Sequence, residues 1–366
     1  MSRSDIILSK NDIPAPGASR TRTIGFLLIP DFALLSYASA IEPLRAANHL
    51  LGRDFYRWRH ITATGLPAPA SNGIAIAAQY RVGDDVTLDD LFVCAAGNPA
   101  LFDDAPTLAW LRKLARRGTG IGGVSGGPYI LARAGLLTGY RCTIHWEHMA
   151  AFREAFPKLH PSRTLFEIDR NRLTCAGGIA ALDMMRALIG RDHGPVLAAA
   201  VGEWFLQTQL RLGSGPQRLT LRERYNVTSP KLLAVLQAME ERIQKPVSRK
   251  ALAQLAQVSI RQLERLFSSH LGITIGTQYL QIRLDRARNL LKETAMPIVE
   301  IAIACGFASA SHFSRACKQH YGASPKVIRD TKSGRRKHAS PPNFQSRLAS
   351  RRADAKPRAR VLYKNI

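Results

Sequence analysis

The apolar residues between positions 246 and 329 follow one helical pattern twice. Each copy contains two short runs with apolar residues three and four positions apart, separated by a tight turn. Leu252 in the first copy and Ile301 in the second are 49 residues apart, whereas Phe267 and Cys317, after the turn, are 50 residues apart. The second turn therefore has one additional residue. A long period that occurs twice predicts two copies of one helix-turn-helix unit.

The second helix of each unit is predicted to begin after a capping serine, Ser259 in the first unit and Ser309 in the second. The spacing buries the apolar residues Leu263, Leu266, Phe267, Phe313, Ala316 and Cys317. It leaves outward the residues Arg261, Gln262, Arg265, Ser311, His312 and Arg315. Basic and hydrogen-bonding side chains on one helix face suit the base edges in the major groove of DNA. An amphipathic hairpin with a solvated face is the alternative for either unit alone, and the repeat weakens it.

One continuous helix is predicted between the two units, over residues 276–293. Its apolar stripe consists of Tyr279, Leu280, Leu284, Ala287 and Leu291. About 17 residues at about 1.5 Å each give a rigid spacer of roughly 25 Å. Such a spacer can set two recognition helices in successive major grooves, which lie about 34 Å apart.

Three motifs in this stretch resemble the DNA-binding domain of the AraC/XylS family of transcription activators. They are Arg283-Leu284-x-x-Ala287 in the spacer helix, Ile301-Ala302-x-x-x-Gly306-Phe307-x-Ser309-x-x-x-Phe313-x-Arg315, and Gly322-x-Ser324-Pro325. The resemblance implies that Arg261, Arg265, Ser311 and Arg315 contact DNA. It also implies activation of transcription, with contacts to RNA polymerase, rather than repression.

Strands and helices alternate ahead of the repeat. Short apolar runs at 24–29, 58–64, 91–96 and 121–124 are typical of buried parallel strands. Helices are predicted at 36–48, 105–117 and 196–210, and an added hairpin is predicted at 74–82. The alternation predicts an open, mostly parallel α/β sheet with helices on both faces, followed by an all-α double helix-turn-helix domain.

The run Gly123-Val124-Ser125-Gly126-Gly127 lies between a predicted strand and a predicted helix and matches G-x-S-x-G. This pattern occurs at nucleophile elbows, where a sharp turn exposes one side chain. One interpretation makes Ser125 a nucleophile with His145 as its base, in an active serine hydrolase or amidase. The other makes the glycines a tight turn whose backbone N–H groups surround the start of a helix. The pattern alone is too common to establish a hydrolase.

Residues 23 to about 189 resemble the PfpI-type branch of the class I glutamine-amidotransferase-like superfamily. The resemblance rests on Gly135-Leu136-Leu137-x-Gly139-x-x-x-Thr143-x-His145-Trp146 and on Leu173-Thr174-Cys175-Ala176-Gly177-Gly178. In that superfamily the elbow residue is typically cysteine followed by histidine, and a glutamate on the first helix supports it. This chain has Ser125 and Gly126 at the elbow and Glu42 at the glutamate position. Because the thiolate and the adjacent base are both missing, the resemblance implies a ligand sensor rather than an enzyme.

A small zwitterion, an amino acid or a betaine, is the effector that such a sensor site predicts. The backbone of Ser125, Gly126 and Gly127 at a helix start suits a carboxylate. Glu42 and Glu147 are candidates to face a cation. The alternative is that Glu42 caps a helix or pairs with an arginine.

Aromatic and histidine side chains complete the predicted site. The ring of Trp146, together with Tyr37 or Phe32, suits a quaternary ammonium group, unless Trp146 belongs to the core. His145 and His148 are three residues apart, but no further metal ligands lie near them. We therefore expect no metal ion, and no motif predicts a cofactor. The predicted ligand-binding residues are Glu42, Ser125, Gly126, Gly127, His145 and Trp146.

The charge distribution indicates a polyanionic partner. The net charge is +25, and Lys and Arg exceed Asp and Glu by 7 over residues 1–229, by 8 over 230–330 and by 10 over 331–366. Promoter DNA is favoured over a membrane as the partner, because no amphipathic membrane-type helix accompanies the charge. An architectural protein that binds DNA through charge alone is a further alternative.

The remaining features favour a cytoplasmic protein of two domains. The five cysteines form neither a disulfide framework nor a zinc pattern, and no apolar run approaches the roughly 18 residues that span a bilayer. We expect a disordered N-terminus over 1–21, a sensor domain over 22–211, a linker over 212–228, a DNA-binding domain over 229–330 and a disordered basic tail over 331–366. A homodimer through the first domain would bind repeated sites, but the sequence does not fix the oligomeric state.

Overall fold

The computed structural model describes residues 20–209, 211–294 and 296–330. The N-terminus up to residue 19 and the basic tail from residue 331, for which the sequence predicts disorder, lie outside the described residues. The described chain forms an α/β half followed by a helical half, as the hydrophobic pattern predicts.

The α/β half is built on a mostly parallel sheet that is seven strands wide within the described residues. Its strands are β1 (Arg22–Leu28), β2 (Tyr56–Thr62), β5 (Tyr80–Arg81), β6 (Asp90–Ala95), β7 (Gly120–Ser125), β8 (Phe166–Asp169) and β9 (Arg172–Cys175), while β3 (Ala68–Pro69) and β4 (Ala75–Ile76) form a separate pair. The order across the main sheet is β5-β2-β1-β6-β7-β9-β8, and β8 runs antiparallel to β9. The central strands β1, β6 and β7 are largely apolar because helices cover both faces.

One predicted element is placed differently in the structure. The hairpin expected over 74–82 is formed by β3 and β4, which pair on either side of the turn that contains Gly73, at a φ of 92°. The next residues, β5, join the edge of the main sheet in parallel with β2. The sequence identifies the turn, but strands of two residues are too short to show an alternating pattern that would reveal their partners.

Helices cover the two faces of the main sheet. On one face, a shared apolar cluster contains residues of α1 (Leu34–Leu51), α5 (Ala180–His193) and α6 (Pro195–Trp204). On the other face, a second cluster contains residues of α2 (Ala105–Arg116), α3 (Gly127–Arg133) and α4 (Met149–Ala155). The helix predicted to run to residue 210 ends at Trp204, because Leu206 turns into the left-handed region at a φ of 57°.

The C-terminal half is helical throughout its described residues. Its helices are α7 (Leu221–Tyr225), α8 (Pro230–Glu241), α9 (Arg249–Leu255), α10 (Ile260–Leu271), α11 (Ile275–Glu293), α12 (Ile298–Ala304), α13 (Ala310–Tyr321) and α14 (Pro325–Asp330). The short helix α7 was not predicted, although Thr220 and Glu223 form a capping box at its start.

The sequence repeat is also a structural repeat. Helices α9 and α10 form the first helix-turn-helix unit, α12 and α13 form the second, and α11 joins them. The first unit has an apolar core around Leu236, Leu263 and Phe267. The second has a separate core around Ile301 and Phe313. Because α11 contributes residues to both cores, both units pack on this one helix.

Candidate functional site

Capping serines start both recognition helices, as predicted. Ser259 Oγ accepts a hydrogen bond from the Gln262 N–H at 3.2 Å, and Gln262 Oε1 accepts one from the Ser259 N–H at 2.9 Å. Ser309 Oγ accepts from the His312 N–H at 3.2 Å. Because the cap uses Gln262 Oε1, the side-chain NH2 group is the part of Gln262 that remains available to DNA.

The outward faces of α10 and α13 carry the predicted DNA-contact residues. The residues predicted to be buried are so, except that Leu266 is half-buried. The six predicted contact residues, Arg261, Gln262, Arg265, Ser311, His312 and Arg315, are all exposed. The helical spacing thus separates an apolar inner face from a basic outer face in both units.

Arg283 on α11 has a structural role. Its Nε donates to the Cys305 carbonyl oxygen at 2.8 Å, and its guanidinium also donates to the Gly306 carbonyl oxygen. The same guanidinium lies 4.2 Å from the ring centroid of Phe307. These contacts tie the spacer helix to the turn of the second unit, so the orientation of that unit follows α11.

The turns of the two units share a left-handed residue. Gln257 and Gly306 occupy equivalent places in the repeat, with φ angles of 51° and 71°. Glycine is required at 306, because a Cβ there would lie 2.5 Å from the Ile243 carbonyl oxygen. Gln257 is exposed, so the first unit accommodates a side chain in this conformation, at a strain of about 1 to 2 kcal/mol.

A sharp turn after β7 places Ser125 at the carboxyl edge of the sheet. Ser125 is buried and has a φ of 60°, as expected at an elbow of this type. The Gly126 N–H donates to the Ala95 carbonyl oxygen at 2.8 Å. A Cβ on Gly127 would lie 2.0 Å from the Val93 carbonyl oxygen, so glycine is required for α3 to pack against β6. The predicted carboxylate site therefore loses the Gly126 N–H as a donor.

The helix residue beside the elbow is Ser36. A Cβ on Gly177 would lie 2.6 Å from Ser125 Cβ and 2.8 Å from Ser36 Oγ, so these three residues meet. Ser36 is buried and accepts a hydrogen bond from the Gly178 N–H at 2.7 Å. The elbow thus combines a serine in place of cysteine with a second serine on α1.

The structure does not bring Glu42 to the elbow, contrary to the sequence-based expectation. Glu42 lies six residues after Ser36, which is about 9 Å along the helix axis and about 120° around it. Its carboxylate pairs with Arg45 at 2.7 Å, and its side chain is 43% exposed. Helical periodicity therefore turns Glu42 toward solvent, where it pairs with an arginine.

The loop from His145 to His148, which we call the histidine loop, lies against the elbow. The His145 N–H donates to the Ser125 carbonyl oxygen at 3.4 Å. The His145 ring lies 5.3 Å from the Trp146 ring and 5.8 Å from the His148 ring, between centroids. Burial, with a smaller effect of His148, lowers the pKa of His145 to about 4, although Glu293 raises it. His145 is therefore uncharged at neutral pH.

The tautomer of His145 does not suit a catalytic base. His145 Nδ1 accepts a hydrogen bond from the Glu147 N–H at 3.3 Å. A neutral imidazole that accepts at Nδ1 carries its proton on Nε2, which then donates and cannot accept the proton of a serine. Within the described residues, no hydrogen bond joins the Ser125 hydroxyl to this ring. In the described part of the chain, Ser125 and His145 therefore lack the hydrogen bond through which a base activates a serine.

Trp146 is the accessible ring among the three aromatic residues predicted at the site. Trp146 is 40% exposed, and the Arg218 guanidinium lies 4.5 Å from the centroid of its ring. Tyr37 and Phe32 are buried and pack edge to face at 5.5 Å. The Tyr37 hydroxyl is also hydrogen-bonded to His60 Nε2 at 2.7 Å. These two rings belong to the core of the α/β half.

The edge of the sheet that carries the elbow also contacts the DNA-binding half. His148 Nδ1 and Glu293 Oε2 are 2.9 Å apart, and each side chain is 4% exposed. Asn98, in the loop after β6, donates through Nδ2 to the Lys292 carbonyl oxygen. Ala150 of α4 lies within the apolar core of the second unit. The α/β half therefore holds the last turn of α11.

Sequence reasoning missed Ser36, Arg218 and Glu293 as members of this region. Each is defined by a neighbour that is distant along the chain, as His148 and Glu293 are, 145 residues apart. No local sequence pattern reveals such a neighbour.

Metal and membrane features are missing from the part of the chain that the structure describes. In that part, no group of three or more His, Cys, Asp or Glu side chains could hold a metal ion. No helix among the same residues is long and apolar enough to cross a membrane.

Comparisons with known proteins identify the family. A family model described as a helix-turn-helix domain matches residues 252–331. The chain is 42% identical over 311 residues to the HTH-type transcriptional regulator GbdR of Pseudomonas aeruginosa, with 85% of each chain covered. It is 41% identical to the HTH-type transcriptional regulator CdhR of the same species, covering 90% of this chain and 98% of CdhR. It is 43% identical to the HTH-type transcriptional regulator GlxA of Rhizobium meliloti, covering 84% and 95%.

Solved structures resemble separate parts of the chain. An AraC family transcriptional regulator from Pseudomonas putida is 29% identical, with a TM-score of 0.45 and coverage of 50% of this chain and 99% of that chain. A THiJ/PfpI family protein from Pseudomonas syringae is 24% identical, with a TM-score of 0.48 and coverage of 70% and 97%. On the strength of the full-length relatives and the repeated helix-turn-helix unit, the chain belongs to the AraC/XylS family of DNA-binding transcriptional regulators, with a mostly parallel α/β domain at its N-terminus.

Proposed function

We propose that this protein is a cytoplasmic regulator that reads promoter DNA with α10 and α13 and responds to a small zwitterion bound beside the elbow. The observation that carries the DNA-reading assignment is the pair of exposed basic faces at the two ends of one spacer helix. The proposed contact residues are Arg261, Gln262, Arg265, Ser311, His312 and Arg315. Arginine forms bidentate hydrogen bonds with guanine, and serine and glutamine supply further donors and acceptors.

The length of α11 supports the use of both units by one molecule. Its 19 residues span about 28 Å, which is close to the roughly 34 Å that separate successive major grooves. One chain would then occupy two half-sites about ten base pairs apart. The basic residues from 331 to 366 would add affinity that is independent of sequence and sensitive to salt.

The effector site consists of the elbow and the histidine loop. The Ser125 hydroxyl and the Nε2–H group of the neutral His145 are donors for a carboxylate, and the Gly127 backbone completes the elbow. The ring of Trp146 suits an ammonium or quaternary ammonium group. These groups support an amino acid or a betaine as the effector, with Ser36 in place of the expected Glu42.

The domain has no enzymatic role in this proposal. The PfpI-type enzymes that the domain resembles use a thiol, an adjacent histidine and a carboxylate on the first helix. In this chain the first two are replaced and the carboxylate of Glu42 lies away from the elbow. His145, in addition, carries its proton on the wrong nitrogen for a base. A fluorophosphonate probe tests this directly, because only an activated serine reacts with it. Labelling of Ser125 in the purified full-length protein would revive the serine hydrolase alternative.

Activation of transcription through contacts to RNA polymerase, and a homodimer formed by the α/β half, complete the proposal. Sequence-specific binding, on which both depend, is tested with DNA that the protein itself selects. Fragments of the host genome bound by the full-length protein at about 150 mM salt should share a motif with two half-sites. A random set of fragments would mean that binding depends on charge alone.

The effector is identified by titration calorimetry of the full-length protein with glycine betaine, carnitine and the amino acids. Heat from at least one zwitterion is expected, and Trp146→Ala should abolish it. The absence of heat from the whole panel would contradict the proposed ligand class without affecting the DNA-reading assignment.

A further inference from the structure

Two charged side chains of the C-terminal half contact the histidine loop. The guanidinium of Arg218, in the linker before α7, lies 4.5 Å from the Trp146 ring centroid. The carboxylate of Glu293, on the last turn of α11, lies 2.9 Å from His148 Nδ1. One cation and one carboxylate thus contact the same four-residue loop, at the edge of the sheet where Ser125 lies.

The linker that carries Arg218 is fixed to the α/β half by its neighbour. Gln217 Nε2 donates to Thr143 Oγ1 at 3.0 Å, to the Ile144 carbonyl oxygen at 3.0 Å and to the Thr164 carbonyl oxygen at 2.7 Å. Three hydrogen bonds from one amide hold the backbone beside Trp146. Arg218 therefore reaches the ring from a defined position.

Glu293 reaches the loop from an equally defined position. The Asn98 amide binds the carbonyl oxygen of the preceding residue, and the Glu293 and His148 side chains exclude solvent from each other. Glu293 also raises the pKa of His145, so its carboxylate acts on both imidazoles of the loop. Only four residues separate Glu293 from the start of α12.

These contacts use the same chemistry that a zwitterionic effector would use. A guanidinium over an indole ring is the geometry in which such rings receive quaternary ammonium groups. The Glu293 carboxylate lies against the same loop whose neutral His145 is proposed to donate to the effector's carboxylate. An effector that takes both positions has to displace both side chains.

We propose that Arg218 and Glu293 are internal substitutes for the two charges of the effector. Effector binding and docking of the C-terminal half on the histidine loop are then mutually exclusive. The proposal rests on the proposed effector class and adds its route of action. Release of Glu293 removes one of the contacts that hold the end of α11 and so loosens the second helix-turn-helix unit, while the first unit keeps its own core.

The first test needs no small molecule. Hydrogen exchange of the full-length protein, read by mass spectrometry, is compared between the wild type, the double variant Arg218→Gln/Glu293→Gln and the control Arg222→Gln/Glu241→Gln. The control removes the same charges from exposed positions on α7 and α8. The double variant should exchange roughly tenfold faster in α4 and in the last turns of α11, and the control should match the wild type.

The amide of Glu293→Gln can still form a hydrogen bond with His148, so a second variant without this group is needed. Arg218→Gln/Glu293→Ala removes that bond completely and should exchange at least as fast. Wild-type exchange in both double variants overturns the proposal, because the two side chains would then not hold the halves together.

The second test uses glycine betaine as the probe. With the internal competitors removed, glycine betaine should bind the double variant roughly tenfold more tightly than the wild type and the control, because the site is no longer occupied by its substitutes. Equal affinity of glycine betaine for all three proteins overturns the proposal that Arg218 and Glu293 substitute for the effector. Faster exchange without binding of glycine betaine, carnitine or any amino acid also overturns it, and it refutes the proposed effector class while leaving DNA recognition intact.

Discussion

The two helix-turn-helix units share one sequence pattern and differ in what surrounds them. The core of the first unit is completed by α8, by the buried Val227 that follows α7, and by the partly buried residues Leu221 and Tyr225 of α7. The core of the second unit includes Ala150 from the α/β half, and the helix leading to it ends at Glu293, which His148 binds. A repeat thus gives two helix-turn-helix units of similar shape, and the second of them takes a residue of the α/β half into its core.

The turns of the units show the same difference on a smaller scale. Gln257 faces solvent, whereas Gly306 is pressed against the Ile243 carbonyl oxygen and receives Arg283 on its own carbonyl oxygen. The second turn is therefore packed against neighbouring backbone and side chains, whereas the first turn is exposed at Gln257.

Gly306→Ala should lower the free energy of unfolding by about 2 to 4 kcal/mol, because it adds a clash with the backbone to the strain of a left-handed alanine. Gln257→Ala, at the equivalent position, should change it by less than about 0.5 kcal/mol, since a Cβ is already present there. Urea unfolding followed by circular dichroism measures both. Equal losses in the two variants would contradict the asymmetry.

Acid should weaken the structure through the histidine loop, which adjoins the second unit. The pKa of His145 is lowered to about 4 by burial and by His148, whereas an unfolded histidine has a pKa of about 6.5. Between these values the unfolded chain binds a proton that the folded chain does not, so stability falls as the pH falls from about 6.5 to about 4 and is unaffected by this group below that range. The total loss is on the order of 3 kcal/mol.

His145→Gln isolates this contribution. Burial also lowers the pKa values of His60 and His193, so the wild type and the variant should both lose stability in acid. The difference between their unfolding free energies, measured from pH 7.5 to pH 4, should shrink progressively as the pH falls. A difference that does not change with pH would contradict the burial of a neutral His145.

Arg265→Ala and Arg315→Ala should each weaken binding to the selected operator by about 1 to 3 kcal/mol, because each removes base contacts from one unit. Lys231→Ala, on the exposed first turn of α8, is the matched loss of a cation outside both units. Fluorescence anisotropy with labelled operator and with random DNA measures the effects. Unchanged affinity in both arginine variants would remove the assigned recognition faces.

Gln257→Gly should have the smallest effect and the opposite sign. It relieves the left-handed strain but increases the freedom of the unfolded chain, so we expect stabilisation of up to about 1 kcal/mol. Thermal unfolding of this variant beside the wild type provides the measurement. A clear loss of stability would show that the Gln257 side chain makes contacts worth more than the strain.

Local features of the sequence were sufficient to predict the DNA-binding half. The positions of α10 and α13, their serine caps and their outward arginines depend on residues three and four apart, which a single sequence displays. Strands β1, β6 and β7 were also predictable from short apolar runs, whereas β8 and β9 contain charged and polar residues and show no such run. The domain boundaries, and the role of the outward residues in contacting DNA, remain predictions.

Features that depend on distant neighbours were not predictable. A glutamate such as Glu42 suits the expected chemistry, but the phase of α1 against the elbow decides which residue faces Ser125, and that residue is Ser36. The pair of His148 and Glu293 requires the docking of two domains. Gln257 has no sequence signature for its positive φ, since glycine or asparagine is the usual residue in that conformation.

The central claim is that both units of one chain read DNA. Hydroxyl-radical footprinting of the full-length protein on its selected operator tests this most directly. The account predicts two protected segments about ten base pairs apart, with Arg265→Ala weakening one of them and Arg315→Ala weakening the other. A single protected segment, or uniform protection along the fragment, would contradict it.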